Sequence, residues 1–225
     1  MITLAYIYDK TAGIHPLFVH SLTLVLLYGR QPLSKKLPVI SNGGNNIAEQ
    51  RNQVVRGFLE DSDADWLLMV DTDQTFDQHL PQRLLVAAHP TDRPVVSALV
   101  MAQRNPPHRP VTPAFVVEQD GQFVVPDLIP TGIVDCIPGA GCVIIHRSVL
   151  QAMRDKFEPV TAFPWFAYTE HRTEAGWDSL GEDYTFMVRA RNLGFTTWVD
   201  TAIEVGHVKE VVLTTQHFWS QFVAT

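Results

Sequence analysis

One stretch constrains the fold of this chain more than any other. The apolar run Trp66–Val70 ends abruptly at Asp71-Thr72-Asp73, two carboxylates one residue apart. An unbroken apolar run is typical of a central strand in a parallel sheet that is covered on both faces. Ligands of such sheets bind outside the carboxyl ends of the strands, where these two acids fall. Carboxylates bind hard cations such as Mg²⁺ and Mn²⁺. Asp is also common where a strand simply enters a turn, so both interpretations stay open.

Length and composition exclude several classes of protein. The chain has 225 residues, of which 46% are hydrophobic and 18% charged, as in an ordinary globular domain. A net charge of −7 argues against a protein that coats nucleic acid, because that affinity comes mainly from Lys and Arg. The apolar stretches fall far short of the roughly 20 residues that a membrane helix needs. We therefore expect no stable nucleic-acid binding, no membrane span and, because the start lacks a signal pattern, a cytoplasmic location.

Strand-like segments alternate with helical patterns along the chain, which favours an α/β fold. Asp120-Gly121 lies between two apolar runs and predicts a hairpin that adds antiparallel strands to the sheet. The proline-rich segment Gln103–Pro110 predicts a loop. The predicted strands are Leu4–Tyr8, Trp66–Val70, Val95–Met101, Cys142–His146, Phe195–Asp200 and Ile203–His207.

A helix is predicted between the first two of these strands. Asn46 is a suitable N-cap for a helix that runs to about Glu60. Arg51 lies on the same face as Ile47 and Val54, so its guanidinium points towards the core. A cation in that position needs an anionic partner, unless the side chain snorkels at the rim of the core.

The second half of the chain carries three further motifs. Gly139-Ala140-Gly141 precedes an apolar strand, which allows a close approach of backbone to a ligand or forms a simple tight turn. Glu182 and Asp183 open a helix that ends near Gly194, where acids either complement the helix dipole or carry chemistry. His207 ends an apolar segment, and a lone histidine is usually structural.

The two cysteines, Cys136 and Cys142, do not form a disulfide framework. Together with His146 their spacing matches no usual zinc site, so we predict buried free thiols.

The order of these motifs resembles that of the GT-A-fold glycosyltransferases, over roughly Asn45 to Val208. The match is to small, family-2-like members without a membrane span, some of them phage-encoded. The resemblance implies a Rossmann-like three-layer α/β fold with a mainly parallel central sheet and a small antiparallel addition. It also implies one domain over residues 1–225, with a nucleotide-binding half (1–101) and a half that completes the acceptor and metal sites (102–225).

The family binds a divalent cation through an Asp-x-Asp motif, and the cation grips the diphosphate of a nucleotide-sugar. The resemblance therefore implies that Asp71, Asp73 and His207 hold Mn²⁺ or Mg²⁺ and that the donor is a UDP- or GDP-sugar. Donor contacts are implied for Tyr8, Asp9, Arg51, Asp71, Gly139, Ala140 and Gly141.

The implied reaction is the transfer of one sugar to the hydroxyl of an acceptor, which is a protein, a glycan or a small molecule. Asp183, or failing that Glu182, is the implied general base if the enzyme inverts the anomeric centre. Trp165 and Trp177 suit the apolar faces of an acceptor sugar, or pack in the core. The processive Gln-x-x-Arg-Trp signature is missing, which favours a single transfer. The Pro-x-x-Asn ending of the first strand is missing too, which leaves base recognition and stereochemistry open.

Three alternatives stay open. Asp71-Thr72-Asp73-Gln74-Thr75 also resembles the nucleophile motif of haloacid-dehalogenase-type phosphatases, with Asp71 as nucleophile and Lys156 downstream, but that interpretation leaves His207 without a role. A non-catalytic domain that binds nucleotide-sugars is the second alternative. A metal-dependent nucleotidyltransferase is the third, and it would need a Gly-rich, Lys-containing loop after the first strand, to which Asp9–Gly13 bears a faint likeness.

Overall fold

The described part of the chain is built around a mixed sheet with helices on both faces. The computed structural model describes residues 1–8, 13–29, 33–34, 39–41, 46–103, 111–120, 122–173 and 176–209. The helices are α1 (Pro16–Tyr28), α2 (Ile47–Asp61), α3 (Leu80–Ala87), α4 (Arg147–Phe157) and α5 (Glu182–Asn192). The strands are β1 (Ile2–Ile7), β2 (Val39–Ser41), β3 (Trp66–Val70), β4 (Gln74–Thr75), β5 (Val95–Ala102), β6 (Thr112–Pro113), β7 (Phe115–Gln119), β8 (Gln122–Val124), β9 (Ile133–Asp135), β10 (Ile137–Pro138), β11 (Cys142–His146), β12 (Thr169–Thr173), β13 (Gly176–Leu180) and β14 (Thr197–His207).

The central sheet has the strand order β2-β1-β3-β11-β5-β14-β4. β1 pairs in parallel with β2 and β3, and β5 pairs in parallel with β14. β11 is antiparallel to both of its neighbours, β3 and β5. β2, β1, β3, β5 and β14 therefore run in one direction. The predicted mainly parallel sheet is confirmed, with β11 inserted against the common direction.

Because β11 runs against its neighbours, the turn that precedes it, Gly139–Gly141, lies at the carboxyl end of β3. Cys142, the first residue of β11, is paired with Val70, the last residue of β3. The turn Gly139–Gly141 is therefore at the carboxyl end of β3, next to Asp71. β14 runs with β5 and brings its last residue, His207, to the same edge of the sheet. Turns from both halves of the chain thus meet at one edge.

Two cores cover the two faces of this sheet. The side chains of β3 alternate between them: Leu67 and Met69 belong to one core, whereas Leu68 and Val70 belong to the other. Helices α2, α4 and α5 pack on the sheet in the first core, and α1 and α3 pack on it in the second. This arrangement is the three-layer architecture that the sequence predicted.

Most predicted elements are confirmed with small shifts at their ends. β3 and β11 match their predicted ranges, while β1 is shifted towards the N-terminus. Asn46 caps α2 by accepting hydrogen bonds from the backbone N–H groups of Ala48 and Glu49. Gly194, with φ of 86°, follows the end of α5 as predicted. The two predicted strands near the C-terminus are one strand, β14, whose register shifts between Asp200 and Glu204.

The predicted hairpin is confirmed, but it belongs to a small antiparallel sheet of its own and does not extend the central sheet. β7 and β8 pair antiparallel, and β10 joins β7 to form a small three-stranded sheet. Asp9, Gly121 and residues 104–110 of the predicted proline-rich loop lie outside the described residues. The division of the chain at residue 101 stays a prediction.

The two cysteines are buried thiols, as predicted. Cys136 and Cys142 are free and buried, and burial raises the pKa of the Cys136 thiol to about 12. Among the residues that the structure describes, no helix has the length and apolar character needed to cross a bilayer.

Candidate active site

Arg51 joins two acids from different elements at the carboxyl edge of the sheet. Its side chain is only 4% exposed, although it lies on α2 close to the surface. Nη2 donates to Asp71 Oδ1 at 3.0 Å and to Oδ2 at 3.1 Å, and Nη1 donates to Glu182 Oε1 at 2.8 Å. These two carboxylates are the anionic partners that the sequence requires for a cation on this face. We call Arg51, Asp71 and Glu182 the inner cluster.

Burial and charge act against each other within the inner cluster. Burial raises the pKa of Asp71 and of Glu182, and the nearby Arg51 partly offsets both rises. Burial alone would lower the pKa of Arg51, but Asp71 and Glu182 raise it instead, so the guanidinium stays charged. The ring of Phe166 lies 5.5 Å from Arg51 Cζ and adds a cation–π contact. Arg51 is therefore held by two carboxylates and one aromatic ring.

Asp73 has a separate set of partners. Oδ2 accepts from Lys209 Nζ at 3.1 Å and lies 2.9 Å from His207 Nε2. The amide of Gln74 approaches the other carboxylate oxygen at 3.4 Å. Burial alone would raise the pKa of Asp73, but the hydrogen bonds and charges of His207 and Lys209 lower it to about 2. We call Asp73, His207 and Lys209 the outer cluster.

The contact of the other ring nitrogen of His207 determines which nitrogen carries a proton. Nδ1 lies 2.9 Å from the carbonyl oxygen of Met101, at the end of β5. A carbonyl only accepts, so Nδ1 carries a proton and Nε2 faces Asp73. The hydrogen bond and charge of Asp73 raise the pKa of His207, since a proton on Nε2 is stabilised there. A metal cation at Nε2 would take the place of that proton.

The outer cluster contains one carboxylate and one imidazole, which are residue types that bind divalent cations. In this structure Asp73 Oδ2 is hydrogen-bonded to His207 Nε2 at 2.9 Å and to Lys209 Nζ at 3.1 Å. Asp71, the third predicted ligand, is engaged by Arg51, and the described residues contain no group of three or more His, Cys, Asp or Glu placed to hold a metal. A cation at Asp73 would have to replace the proton shared with His207 and the Lys209 ammonium, and would complete its coordination with water or phosphate.

The glycine turn lies between Asp71 and Asp183. Asp71 N–H donates to the carbonyl of Gly141 at 2.8 Å, and Gly139 N–H donates to Ala114 at 2.7 Å. A Cβ atom at Gly141 would lie 3.5 Å from Asp71 Oδ2, and one at Gly139 would lie 3.3 Å from Asp183 Oδ2. The residue between them, Ala140, is buried. A side chain at Gly139 would therefore crowd Asp183 and the carbonyl of Ala114, whereas one at Gly141 would make ordinary contact with Asp71.

The two acids at the start of α5 have different surroundings. Glu182 is 8% exposed and belongs to the inner cluster. Asp183 acts on Arg51 through its charge and accepts a hydrogen bond from the N–H of Tyr184 at 2.8 Å. Tyr168 is 60% exposed, and burial of its ring together with a hydrogen bond to Glu182 raises its pKa. Glu182 is therefore committed to Arg51, whereas Asp183 faces the glycine turn.

A small cleft, with room for about one water molecule, lies beside the inner cluster. It is lined by the carboxyl ends of β1 and β3 and by Arg51 and Val54 of α2. Tyr8 directly follows β1 and is half-buried. Its neighbour Asp9 lies outside the described residues, so its predicted contact with the nucleotide stays a prediction.

One predicted acceptor contact is wrong. Trp165 is fully buried, and its Nε1 donates to the carbonyl of Leu150 at 2.8 Å, so its ring is part of the core and cannot stack on a sugar. The structure describes the backbone of Trp177, on β13, but not its side chain, and its role stays a prediction.

Sequence reasoning missed Lys209 and Gln74. Lys209 follows His207 by two residues, and side chains at this spacing share one side of an extended chain, which is a signal that could have found it. Gln74 gave no such signal, because its position depends on the short pairing of β4 with the end of β14.

These elements form a GT-A-like mixed α/β fold, with a mostly parallel central sheet and small antiparallel sheets. Among solved structures, A197 from STIV is similar, with a TM-score of 0.53 and 18% identity over 93% of this chain and 87% of that chain. The bifunctional IspDF from Campylobacter jejuni has a TM-score of 0.43 and 12% identity over 89% of this chain and 49% of that chain. At 18% identity the likeness to A197 shows the fold alone. No protein-family model and no curated protein sequence matches the chain.

Proposed function

We propose that this protein is a metal-dependent glycosyltransferase that moves one sugar from a UDP- or GDP-sugar to an acceptor hydroxyl, without processive addition. The observation that carries the proposal is the convergence of the inner and outer clusters at one edge of the sheet. The charged side chains come from four separate parts of the sequence, and each part is positioned by a different element. A fold alone would not require this convergence.

The donor would bind between the outer cluster and the cleft. Asp73 and His207 would hold Mn²⁺ or Mg²⁺, which when bound supplies a Lewis acid for the diphosphate that leaves. Arg51 is held by Asp71 and Glu182, so its guanidinium is fixed in place beside the cleft and its charge is balanced by these two carboxylates. We propose that Asp71 orients Arg51, because its predicted contact with a metal would require this ion pair to open.

The acceptor would be activated by Asp183. A carboxylate that takes the proton of an attacking hydroxyl contributes typically about 10²–10⁴-fold to the rate. Asp183 suits this role better than Glu182, because Glu182 is bound to Arg51. Asp183 Oδ2 lies close to Gly139, where the Cβ atom of any other residue would be 3.3 Å from it.

The phosphatase alternative is disfavoured by the same contacts. Both oxygens of Asp71 accept from Arg51, so a nucleophilic Asp71 would first have to leave its ion pair. Lys156, its proposed partner, is an exposed residue near the end of α4. A nucleotidyltransferase is the stronger second candidate, since the GT-A-like fold serves both classes.

A calorimetric titration of UDP and GDP with Mn²⁺, and again with excess EDTA, tests the donor site. We expect one nucleotide to bind only with the metal, and we expect Asp73→Ala to lose that binding. The matched control is Asp92→Ala, which removes an exposed acid from a surface loop. Metal-independent binding, or equal binding by Asp73→Ala, would remove the metal site from the proposal.

A turnover assay then separates the two transferase classes. A glycosyltransferase releases UDP or GDP from a nucleotide-sugar when a suitable acceptor is present. A nucleotidyltransferase instead releases pyrophosphate from a nucleoside triphosphate and a sugar phosphate. Pyrophosphate release that Asp73→Ala abolishes would replace the proposed reaction with the second candidate.

A further inference from the structure

Lys209 and His207 share one oxygen of Asp73. Lys209 Nζ donates to Asp73 Oδ2 at 3.1 Å, and His207 Nε2 lies 2.9 Å from the same atom. The backbone next to Lys209 is tied to Asp73 as well, because Val208 N–H donates to the carbonyl of Asp73 at 2.8 Å. The ammonium of Lys209 therefore occupies the carboxylate oxygen at which the proposed cation would bind.

The two partners of Asp73 differ in how they can respond to a cation. The ring of His207 is 18% exposed, and its Nδ1 is held by the carbonyl of Met101 at 2.9 Å. Its Nε2 can exchange a proton for a metal while the ring stays in place. The side chain of Lys209 is 37% exposed, and a lysine ammonium has only N–H donors and no lone pair to offer a metal. Lys209 therefore has to leave Asp73 Oδ2 when a divalent cation binds there, whereas His207 can stay.

A displaced ammonium needs another anion. Asp71, the other carboxylate of the turn, already accepts hydrogen bonds from Arg51 with both of its oxygens. A nucleoside diphosphate would bring phosphate oxygens to the outer cluster, and a lysine ammonium binds such oxygens as a point charge. The flexible four-carbon stem of lysine allows this change of partner without a movement of the backbone.

We propose that Lys209 is a diphosphate-binding residue, which pairs with Asp73 in the free protein and moves to the diphosphate when nucleotide and metal bind together. This role of Lys209 rests on the proposed function. Binding of a cation alone breaks the pair of Lys209 with Asp73 and leaves the ammonium without a new anion. Binding of a cation together with a nucleoside diphosphate supplies that anion. Each ligand therefore raises the affinity of the protein for the other.

The affinity of the full chain for Mn²⁺ alone gives the first test, measured by the electron paramagnetic resonance signal of the free ion. Lys209→Gln removes the ammonium that competes for Asp73. It should bind Mn²⁺ up to about fivefold more tightly than the wild type, which corresponds to the loss of an exposed ion pair. The matched control, Lys156→Gln, makes the same change at an exposed lysine of α4 and should bind Mn²⁺ like the wild type.

The affinity for nucleotide in saturating Mn²⁺ should change in the opposite direction. Calorimetric titration with UDP or GDP, whichever binds the wild type, should show an affinity about tenfold lower for Lys209→Gln, because a charge-assisted hydrogen bond to phosphate is lost. Lys209→Arg keeps a cation that also binds phosphate and should retain most of the affinity. A residue that supports only the fold would not raise one affinity and lower the other.

Two results would overturn the role of Lys209. The first is an affinity for Mn²⁺ alone that Lys209→Gln does not raise, and the second is an affinity for nucleotide that it does not lower. Circular dichroism melting checks that each variant is folded. If the wild type shows no Mn²⁺-dependent nucleotide binding, the proposed function fails and the role of Lys209 fails with it. If the wild type shows that binding and Lys209→Gln leaves it unchanged, only the role of Lys209 fails.

Discussion

The two acids of one turn, Asp71 and Asp73, lie two positions apart in the sequence but in different physical environments. Asp71 is 27% exposed and pairs with an arginine that is 4% exposed. Asp73 is 42% exposed and pairs with His207 and Lys209, at 18% and 37%. The turn thus sends one carboxylate into the protein and the other towards solvent. The inner cluster is suited to hold a fixed charge, and the outer cluster is suited to exchange its partners for a ligand.

This difference has an energetic consequence. Removing one partner of a buried ion pair leaves an uncompensated charge and typically costs about 3–5 kcal/mol. Exposed pairs typically contribute about 0–1 kcal/mol. Changes to the inner cluster should therefore act on folding as well as function, whereas changes to the outer cluster should act mainly on ligand binding.

The largest effect on activity is expected at Asp183, which belongs to neither cluster. Asp183→Asn should lower the rate of transfer by about 10²–10⁴-fold while leaving nucleotide binding unchanged, because it removes the proton acceptor and no donor contact. Glu182→Gln, the neighbouring change within the inner cluster, should instead weaken folding by removing a partner of Arg51. Transfer at the wild-type rate by Asp183→Asn would exclude it as the general base.

The largest effect on stability is expected at Arg51. Arg51→Met should lower the free energy of unfolding by about 3–5 kcal/mol, because Asp71 and Glu182 lose their shared cation. Urea denaturation followed by circular dichroism measures this loss. The control is Arg56→Met on the same helix, whose partner Glu158 is 43% exposed, and it should cost less than about 1 kcal/mol. Equal losses for the two variants would remove the distinction between the clusters.

Changes to the outer cluster should affect ligand binding strongly and the free energy of unfolding only slightly. Asp73→Ala, which is expected to lose metal-dependent nucleotide binding, should change the free energy of unfolding by no more than about 1 kcal/mol in EDTA. Urea denaturation in EDTA, run beside Arg51→Met, makes the comparison direct. A loss as large as that of Arg51→Met would show that Asp73 supports the fold rather than a ligand.

Most helices and strands could be predicted from the sequence, because their signals come from neighbouring residues. The apolar run Trp66–Val70 is typical of a buried strand, and the cap at Asn46 is made within four residues. The reversed direction of β11 was not predictable from its own residues. Its apolar pattern is the same in either direction, and the direction is decided by how the chain returns to the sheet.

The candidate site was predictable in its residue types but not in its pairings. Burial of Arg51 followed from its helical face, yet nothing in the sequence shows that its partners are Asp71 and Glu182, which lie 20 and 131 positions away. Trp165 was assigned to an acceptor because an aromatic side chain serves a core and a sugar site equally well. Such choices depend on tertiary packing, which a local pattern does not contain.

The smallest predicted effect concerns the pH dependence of the outer cluster. In the folded protein the pKa of His207 lies above its ordinary value of 6.5, so its charged form contributes stability that is fully present below 6.5 and is lost as pH rises through the folded pKa. The contribution of Asp73 to stability changes with pH in the opposite direction. Its pKa falls from 3.8 to about 2, so its contribution is present above 3.8 and is lost as pH falls towards 2.

The ion pair should therefore be strongest in the window between these two limits. The difference in unfolding free energy between the wild type and His207→Gln, measured in EDTA, should reach its maximum in mildly acidic solution and decline on both sides, by about 1 kcal/mol at most. Lys209→Gln serves as the control, because it removes a cation from the same carboxylate without removing the titrating ring. Its stability difference from the wild type should not decline through the pKa of His207. A difference for His207→Gln that is constant with pH would mean that His207 is neutral in the folded protein, and that its Nε2 does not share a proton with Asp73.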